Sequence, residues 1–566
     1  MKHIVKRITS LTLAAVMALG LTSCGKTPSS SSAGGEDEQI TLTIGLPAKT
    51  NITTYDENKL TLWIEEQTGY NLEFVHFSSN GSELRTQFST MVVGGEKLPD
   101  IMYYFSFTPE ERNTYGSQGF FYDLAEFFDD PEFMSQYEWY NAVKKNLKPD
   151  QFQRIYTESR DAEGHWWAMS SLGNAITDRP RNMLYINQTW LDKLGLEMPR
   201  TFEQLVEVLR AFKTQDPNGN GKADELSMVG STNIARGDIP SWLINQYIYV
   251  NDNHLFNCDD EGNLYLPYDR DEYRQGIKDV KYLYDEGLIE AMTWTIKETS
   301  ELPAIFTPAN QVAQCGVFAG HISLRVEKDN PVVYEYEPLL PLEGSFAAVE
   351  PDLSIGHYTY ISSDCERPKA AFDVIMLLAS PEGVRRTRFG EEGVDWKWVT
   401  DPETGLQGVE VLDQEAYSGQ TDSTFSNLGC NTTWEWEPGD TEHDPYPTWQ
   451  PEQDDGVITW AEFRKDLGKR HARGYLEIAD ANNPKNLIFS SSIVCTEQEL
   501  DEAANIKTNI TTLIKEARAQ FITGVRDINS DAEWEAYCKE LEAMGASKLL
   551  SVYQTAYERT QANAMK

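Results

Sequence analysis

The sequence predicts an α/β protein with more than one lobe, and three observations carry that reading. The chain has 566 residues and 40% hydrophobic content, which exceeds what one core usually holds. Thr41-Leu42-Thr43-Ile44-Gly45-Leu46 alternates as a strand does, and residues 56–67 place Leu60, Trp63, Ile64 and Gln67 at helical spacing ahead of Gly69. Leu72-Glu73-Phe74-Val75-His76 then alternates again. Strand, helix, strand is the building unit of an α/β lobe.

Before this body lies a leader. Lys2, Lys6 and Arg7 precede an apolar run at 11–21 that is too short to span a bilayer and ends on small residues, so residues 1–23 read as a secretory signal. Leu21-Thr22-Ser23-Cys24 resembles the lipobox of bacterial lipoproteins, which implies cleavage before Cys24 and lipid on its sulfur. The expected location is therefore the extracytoplasmic face of the cell membrane. An ordinary signal peptide with a Cys near its cleavage site is the alternative. Residues 24–40 form a tether: four serines at 29–32, Gly34-Gly35 and Glu36-Asp37-Glu38 cannot bury enough apolar surface to fold.

The formal charge is −40, which argues against nucleic acid and against adsorption on anionic lipid. An anionic ligand would need a local basic pocket. Besides Cys24 there are Cys258, Cys315, Cys365, Cys430, Cys495 and Cys538, with no CxxC and no HExxH in the chain; a zinc site is not expected and no disulfide pairs are assigned.

Further along, a helical stretch at 81–93 runs into Gly94-Gly95-Glu96-Lys97-Leu98-Pro99-Asp100-Ile101, then Gly119-Phe120-Phe121-Tyr122-Asp123-Leu124. Gly164-His165-Trp166-Trp167-Ala168-Met169 follows, then Tyr185-Ile186-Asn187 and Trp190-Leu191-Asp192-Lys193-Leu194-Gly195. Thr201 and Gln204 form a capping box ahead of the apolar face Phe202, Leu205, Val206, Leu209 and Phe212. Pro368-Lys369-Ala370-Ala371-Phe372 opens another helix, and Gly390-Glu391-Glu392-Gly393-Val394-Asp395-Trp396 comes after it. In this order the motifs resemble the extracellular solute-binding proteins of carbohydrate ABC importers, in their long oligosaccharide-binding lipoprotein branch. The resemblance implies a two-lobe periplasmic-binding-protein-like fold (type II), with ligand in the cleft and hinge crossings near 169–182, 355–362 and 490–496. Lobe 1 is then expected at 41–168 and 355–490, and lobe 2 at 169–354. Residues 491–566 are expected to form a C-terminal helical region lying mainly on lobe 2, opened by a second capping box, Thr496 and Glu499.

Asp216-Pro217-Asn218-Gly219-Asn220-Gly221-Lys222-Ala223-Asp224-Glu225 places oxygen side chains at positions one, three and five and Gly at six, as the front of an EF-hand loop does. Position twelve is Ser227, without the usual Glu. The shortened form resembles a calcium loop of the same family, which implies Asp216, Asn218, Asn220, the Lys222 carbonyl, Asp224 and Glu225 as ligands of a structural calcium. A metal-free Asn-Gly turn is the alternative.

Sugar rings need flat apolar platforms and planar polar groups. Trp242, Trp294, Trp396 and Trp434 lie in Pro-, Gly- or polar-bearing segments and are candidate platforms, each equally consistent with core packing. Arg181 is a candidate polar contact, with a surface ion pair as its alternative. The expected function is capture of a carbohydrate, as a monomer without catalysis, for presentation to ABC permease subunits. A secreted glycoside hydrolase, which would need two positioned carboxylates, and an oligopeptide receptor are the rivals.

Overall fold

The computed structural model describes residues 39–48, 52, 54–173, 176–234, 236–306, 311–320, 330–400, 407–412, 448–449 and 460–564. In chain order its strands are β1 (Thr41–Pro47), β2 (Asn71–Phe77), β3 (Ile101–Met102), β4 (Met169–Gly173), β5 (Leu184–Asn187), β6 (Leu226–Val229), β7 (Asn257–Cys258), β8 (Leu264–Tyr265), β9 (Cys315–Ala319), β10 (Tyr336–Leu339) and β11 (Ser354–Ile361). The first sheet has the order β2-β1-β3-β11-β4 and the second β10-β5-β9-β6. A small further sheet joins Trp396–Thr400, Gln407–Val411 and Thr448–Trp449.

Local chemistry sets the first sheet. β1 and β2 pair in parallel, which requires a crossover, and helix α1 (Lys59–Thr68) supplies it. Asn58 caps α1 through Leu60 N–H, and Gly69 ends it with φ 72°, a left-handed conformation that glycine adopts without penalty. Helix α2 (Gly81–Gly94) leads to the Leu-Pro-Asp-Ile segment. There the Asp100 carboxylate accepts from both the N–H and the hydroxyl of Thr43, each at 2.8 Å, which locks β3 beside β1. Gly45 must be glycine for the same junction, because a Cβ would lie 2.8 Å from Pro99. Phe77, Phe88, Met102, Phe105, Trp167 and Tyr360 fill the core under this sheet.

β4 and β11 form an antiparallel pair, and the pairing continues past the sheet: Arg181 N–H donates to Ala348 and Glu350 N–H to Arg179, both at 2.8 Å. Chain leaving the first sheet and chain returning to it thus run side by side into β5. The second sheet is the more deeply enclosed. Helices α4 (Phe202–Thr214), α5 (Ile239–Ile244) and α6 (Asp271–Asp285) bury Leu209, Phe212, Trp242, Ile277 and Val280 against it. The same core takes in the C-terminal helices: Ile510, Phe521 and Ile522 of α8 (Glu497–Thr523), Tyr537 of α9 (Asp531–Ala543) and Leu549 of α10 (Ala546–Ala564).

Helix α7 (Trp460–Asn482) departs from the expectation that residues up to 490 accompany the first lobe. It lies against β10 of the second sheet, with His471 beside Tyr185 of β5, and its Tyr475, Leu476 and Ala479 bury Ala347 and Val349 of the crossing segment. Among the described residues Cys258, Cys315, Cys365, Cys495 and Cys538 are free thiols, and no helix is long and apolar enough to cross a membrane. Cys24 and Cys430 lie outside the described residues.

Candidate ligand cleft and cation loop

In open α/β sheets, ligands bind in the crevice beyond the carboxyl ends of the parallel strands. β1, β2 and β3 run parallel, and β11, antiparallel to β3, meets it only at Tyr360 and Ile361. Residues 354–359 of β11 therefore overhang the carboxyl edge of the first sheet, on the side where the crossings leave. The loop after β3 closes over the same edge: Tyr104 has φ 64° and its ring lies 5.4 Å from that of Tyr358, tilted by 45°. A bulky residue held at positive φ costs about 1–3 kcal/mol and persists only where its surroundings fix it.

Helix α3 (Pro109–Ser117) starts beyond that loop, capped by a Thr108–Glu111 box, and carries Arg112. The half-buried Arg112 guanidinium makes no ion pair or hydrogen bond among the described residues, and burial lowers its pKa against the pull of Tyr360, Asp161 and Glu110. His357, on the overhanging part of β11, has a buried Nε2 without a partner. Burial first and the charge of Arg112 second hold its imidazole well below the ordinary range, so it is neutral at physiological pH.

On the second sheet β6 and β9 run parallel, and the loop at 230–238 leaves the carboxyl end of β6. Arg236, at φ 63°, ties this loop to the first crossing by donating to the Thr177 carbonyl at 2.8 Å and pairing with Asp178 at 3.0 Å. Here the arginines find partners within the protein, although the neighbouring buried Asn182 side chain has none among the described residues. Arg181 makes a two-point contact with Asp252, at 2.6 and 3.1 Å. Glu350 of the second crossing accepts from Asn253 at 2.8 Å and from His254 Nε2 at 3.1 Å, while Ser490 N–H of the third crossing donates to His254 Nδ1 at 3.1 Å. The loop at 252–254 thus staples all three crossings. Burial pushes the Glu350 carboxyl up, but the hydrogen bond from His254, the charge of Arg181 and the hydrogen bond from Asn253 outweigh it and hold the carboxyl below its ordinary range.

Next to this staple a pocket of about 180 Å³ opens against α8, lined by Asp252, Leu255, Tyr268, Lys507 and Arg518 among others. It falls below the ~300 Å³ of a typical small-molecule site. Arg518 is buried and donates to Asp238 at 2.8 Å and to Ser241 at 2.9 Å. Asp238 also caps α5, so the pair fixes α8 to the second lobe.

The four tryptophans divide. Trp242 is 2% exposed inside α5, because the Pro-bearing segment is a helix start, with Pro240 in its first turn, and no strand ends there. Trp396 is 1% exposed, donating to the Gly390 carbonyl at 3.1 Å beneath a turn held by Asp395. Neither ring offers a free face in this arrangement, which corrects the expectation that they are platforms; both are packing residues. Trp294 is half-buried at the end of a short turn, edge-on to Tyr284 at 5.1 Å. Trp434 lies outside the described residues. Arg181 sits in the crossing network, held by Asp252. The sequence reading missed Arg112, His357, Tyr104 and Tyr358; the one sequence signal available was their nearness to the Leu-Pro-Asp-Ile segment and to the second crossing.

The cation loop lies between α4 and β6. Asp216 (φ 49°), Gly219 (φ 71°) and Gly221 (φ 75°) bend it tightly. Asp216 accepts from Asn220 N–H at 3.1 Å and Gly221 N–H at 3.0 Å, and the Asn218 and Asn220 amides both turn to Asp224, at 3.4 and 3.0 Å. These hydrogen bonds, that of Asn220 first, hold Asp224 below the ordinary carboxylate range. Glu225 is buried with Oε1 unpartnered, and burial, then the charges of Asp216 and Asp224, push its carboxyl up. A divalent cation would supply the missing partner and relieve that repulsion, so the residues present fit one. Among the described residues no group of three or more His, Cys, Asp and Glu side chains converges as a metal cluster; the donor set would have to include Asn and carbonyl oxygens, which suits a hard cation.

Two sheets whose carboxyl ends meet at paired crossing strands define a hinged two-lobe binding protein. The chain belongs to the bacterial extracellular solute-binding protein family, matched over residues 50–385. It is 25% identical over 96% of both chains to the fructooligosaccharide ABC transporter substrate-binding protein FusA of Streptococcus pneumoniae serotype 4. A solved HMO-binding, ABC-transporter-associated solute-binding protein of Bifidobacterium longum infantis shares the fold, with TM-score 0.72, 21% identity and coverage of 92% of this chain and 99% of that one. The structure of an EF-hand mutant of S. pneumoniae FusA in complex with fructo-nystose matches with TM-score 0.68 and 20% identity, over 92% of this chain and all of that one.

Proposed function

We propose that the protein is a lipid-anchored receptor that captures an oligosaccharide between its two lobes and presents it to the membrane subunits of an ABC importer. The observation that carries this is the end-to-end likeness to FusA, an oligosaccharide-binding importer component, over 96% of each chain. The geometry supports it: the carboxyl edges of both sheets face the crossings, where a ligand touching both lobes would favour the closed form by differential affinity. The reading includes a protein that returns its sugar unaltered, acts as a monomer and is held at the extracytoplasmic face through Cys24. A Cys24→Ala variant should leave the membrane fraction; retention of the processed variant would contradict the anchor.

Calcium is the proposed occupant of the loop, with Asp216, Asn218, Asn220, the Lys222 carbonyl, Asp224 and Glu225 as ligands. The buried, partnerless Glu225 oxygen supports it, as does the EF-hand of FusA. Its role is structural, pinning the α4–β6 connection. A thermal-shift screen against oligosaccharides and short peptides, with product analysis of each hit, tests the function. Stabilisation by a sugar recovered intact is expected, since only a ligand of the native state raises the midpoint; cleavage of the sugar would indicate a hydrolase, and a response to peptides alone a peptide receptor.

A further inference from the structure

We infer that Arg112 and His357 form a subsite at the carboxyl edge of the first sheet for an acidic sugar residue, whose carboxylate pairs with the Arg112 guanidinium. This rests on the sugar-capture reading and specifies the class of sugar.

The chain has 89 acidic and 49 basic residues, so a cation has no shortage of partners. Along the second sheet's edge Arg181 pairs with Asp252, Arg236 with Asp178 and Arg518 with Asp238, while Arg179 donates to the Glu350 carbonyl at 3.4 Å. Arg112, although half-buried, has no partner within bonding distance among the described residues. The carboxylates that act on it electrostatically are Asp161 and Glu110. Asp161 is already engaged, by His165 N–H at 2.8 Å, the His165 ring at 3.0 Å and Trp167 Nε1 at 2.8 Å.

The half-buried Arg112 guanidinium still reaches solvent, so it can exchange water for an incoming anion, and the hydrogen bonds so formed are charge-assisted. A sugar hydroxyl would satisfy its hydrogen bonds but leave the charge. A carboxylate satisfies both, through the two-point geometry that guanidinium favours. His357 is neutral and adds a ring nitrogen, Nε2, that lacks a partner. Tyr358 follows it at the bulge between His357 and Thr359, and its ring lies 5.4 Å from that of the strained Tyr104, offering aromatic surface at this edge for a sugar ring. The overall charge of −40 does not forbid this, because screening at physiological salt confines exposed charges to about 8 Å.

Titration calorimetry of the purified full chain tests it with two matched pairs: trigalacturonate against its carboxyl-reduced trisaccharide, and sialyllactose against lactose. The wild type should bind the acidic member of at least one pair roughly 10-fold or more tighter. Arg112→Gln should abolish that preference with an unchanged melting temperature, and Arg112→Lys should keep part of it. Equal or tighter binding of the neutral members, or a preference that survives Arg112→Gln, would overturn the acidic subsite while sugar capture stands. Failure of the wild type to bind any sugar, these four or neutral fructo- and galacto-oligosaccharides, would overturn the capture reading and the subsite with it.

Discussion

The two sheets present opposite polar edges to the same crossings. At the second, Arg181, Arg236 and Arg518 have their carboxylates, Arg179 reaches only the Glu350 carbonyl at 3.4 Å, and the loop at 252–254 binds three crossing segments into one network. At the first, Arg112 and His357 Nε2 are left without partners beside a tyrosine held at positive φ. Paired charges maintain a shape, whereas a half-buried guanidinium without an ion pair can take up an outside anion. The second edge is thus built as a scaffold and the first as a receiving surface.

The sharpest way to break the contrast is to treat the two kinds of arginine alike. Arg518→Met leaves Asp238 buried and uncompensated and should cost about 3–5 kcal/mol in denaturant unfolding, whereas Arg112→Met should change stability by no more than about 0.5 kcal/mol. Equal losses would erase the distinction. Removing calcium should come next in size. If the loop holds the ion, native protein at a hundredfold excess over Kd gains about 2.7 kcal/mol, so chelation should lower the melting temperature, and Glu225→Gln should lessen the drop. No shift in decalcified protein would dismiss the metal.

Gly116 sharpens the comparison at the back of the receiving edge. A Cβ there would lie 2.4 Å from the Trp167 ring, so Gly116→Ala should destabilise by about 1–3 kcal/mol through overpacking and shift the α3 backbone that carries Arg112. An unchanged melting temperature would mean the helix has slack. The smallest effect is a pH dependence. His357 has a folded-state pKa below its ordinary 6.5, so the unfolded chain binds the extra proton first as pH falls. Its contribution is complete above 6.5 and is lost on acidification at up to about 1.4 kcal/mol per pH unit. His357→Gln should flatten the stability profile between pH 6.5 and 5.5; an unchanged slope would mean the imidazole is solvated.

Much of the scaffold is legible in local sequence. The Gly69 limit of α1 and the capping boxes at Thr201 and Thr496 follow from side-chain chemistry within a few residues, whereas the crossings rest on the resemblance alone. The loop at 216–225 is legible for the same reason: its donors are consecutive. What could not be read was anything that depends on what stands opposite. Trp242 and Trp396 look like platforms in sequence because Pro and Gly flank them, yet those residues start a helix and shape a turn that bury the rings. The apolar face of α7 does not say which sheet it covers. The value of Arg112 lies in a missing partner, which no stretch of sequence displays.

The most direct test of oligosaccharide capture is titration calorimetry of the purified chain against a panel of neutral and acidic oligosaccharides, with chromatography of the sugar recovered from each saturated sample. Saturable binding of at least one oligosaccharide, returned intact, is the predicted result. Absence of binding across the panel, or recovery of shortened sugars, would contradict it.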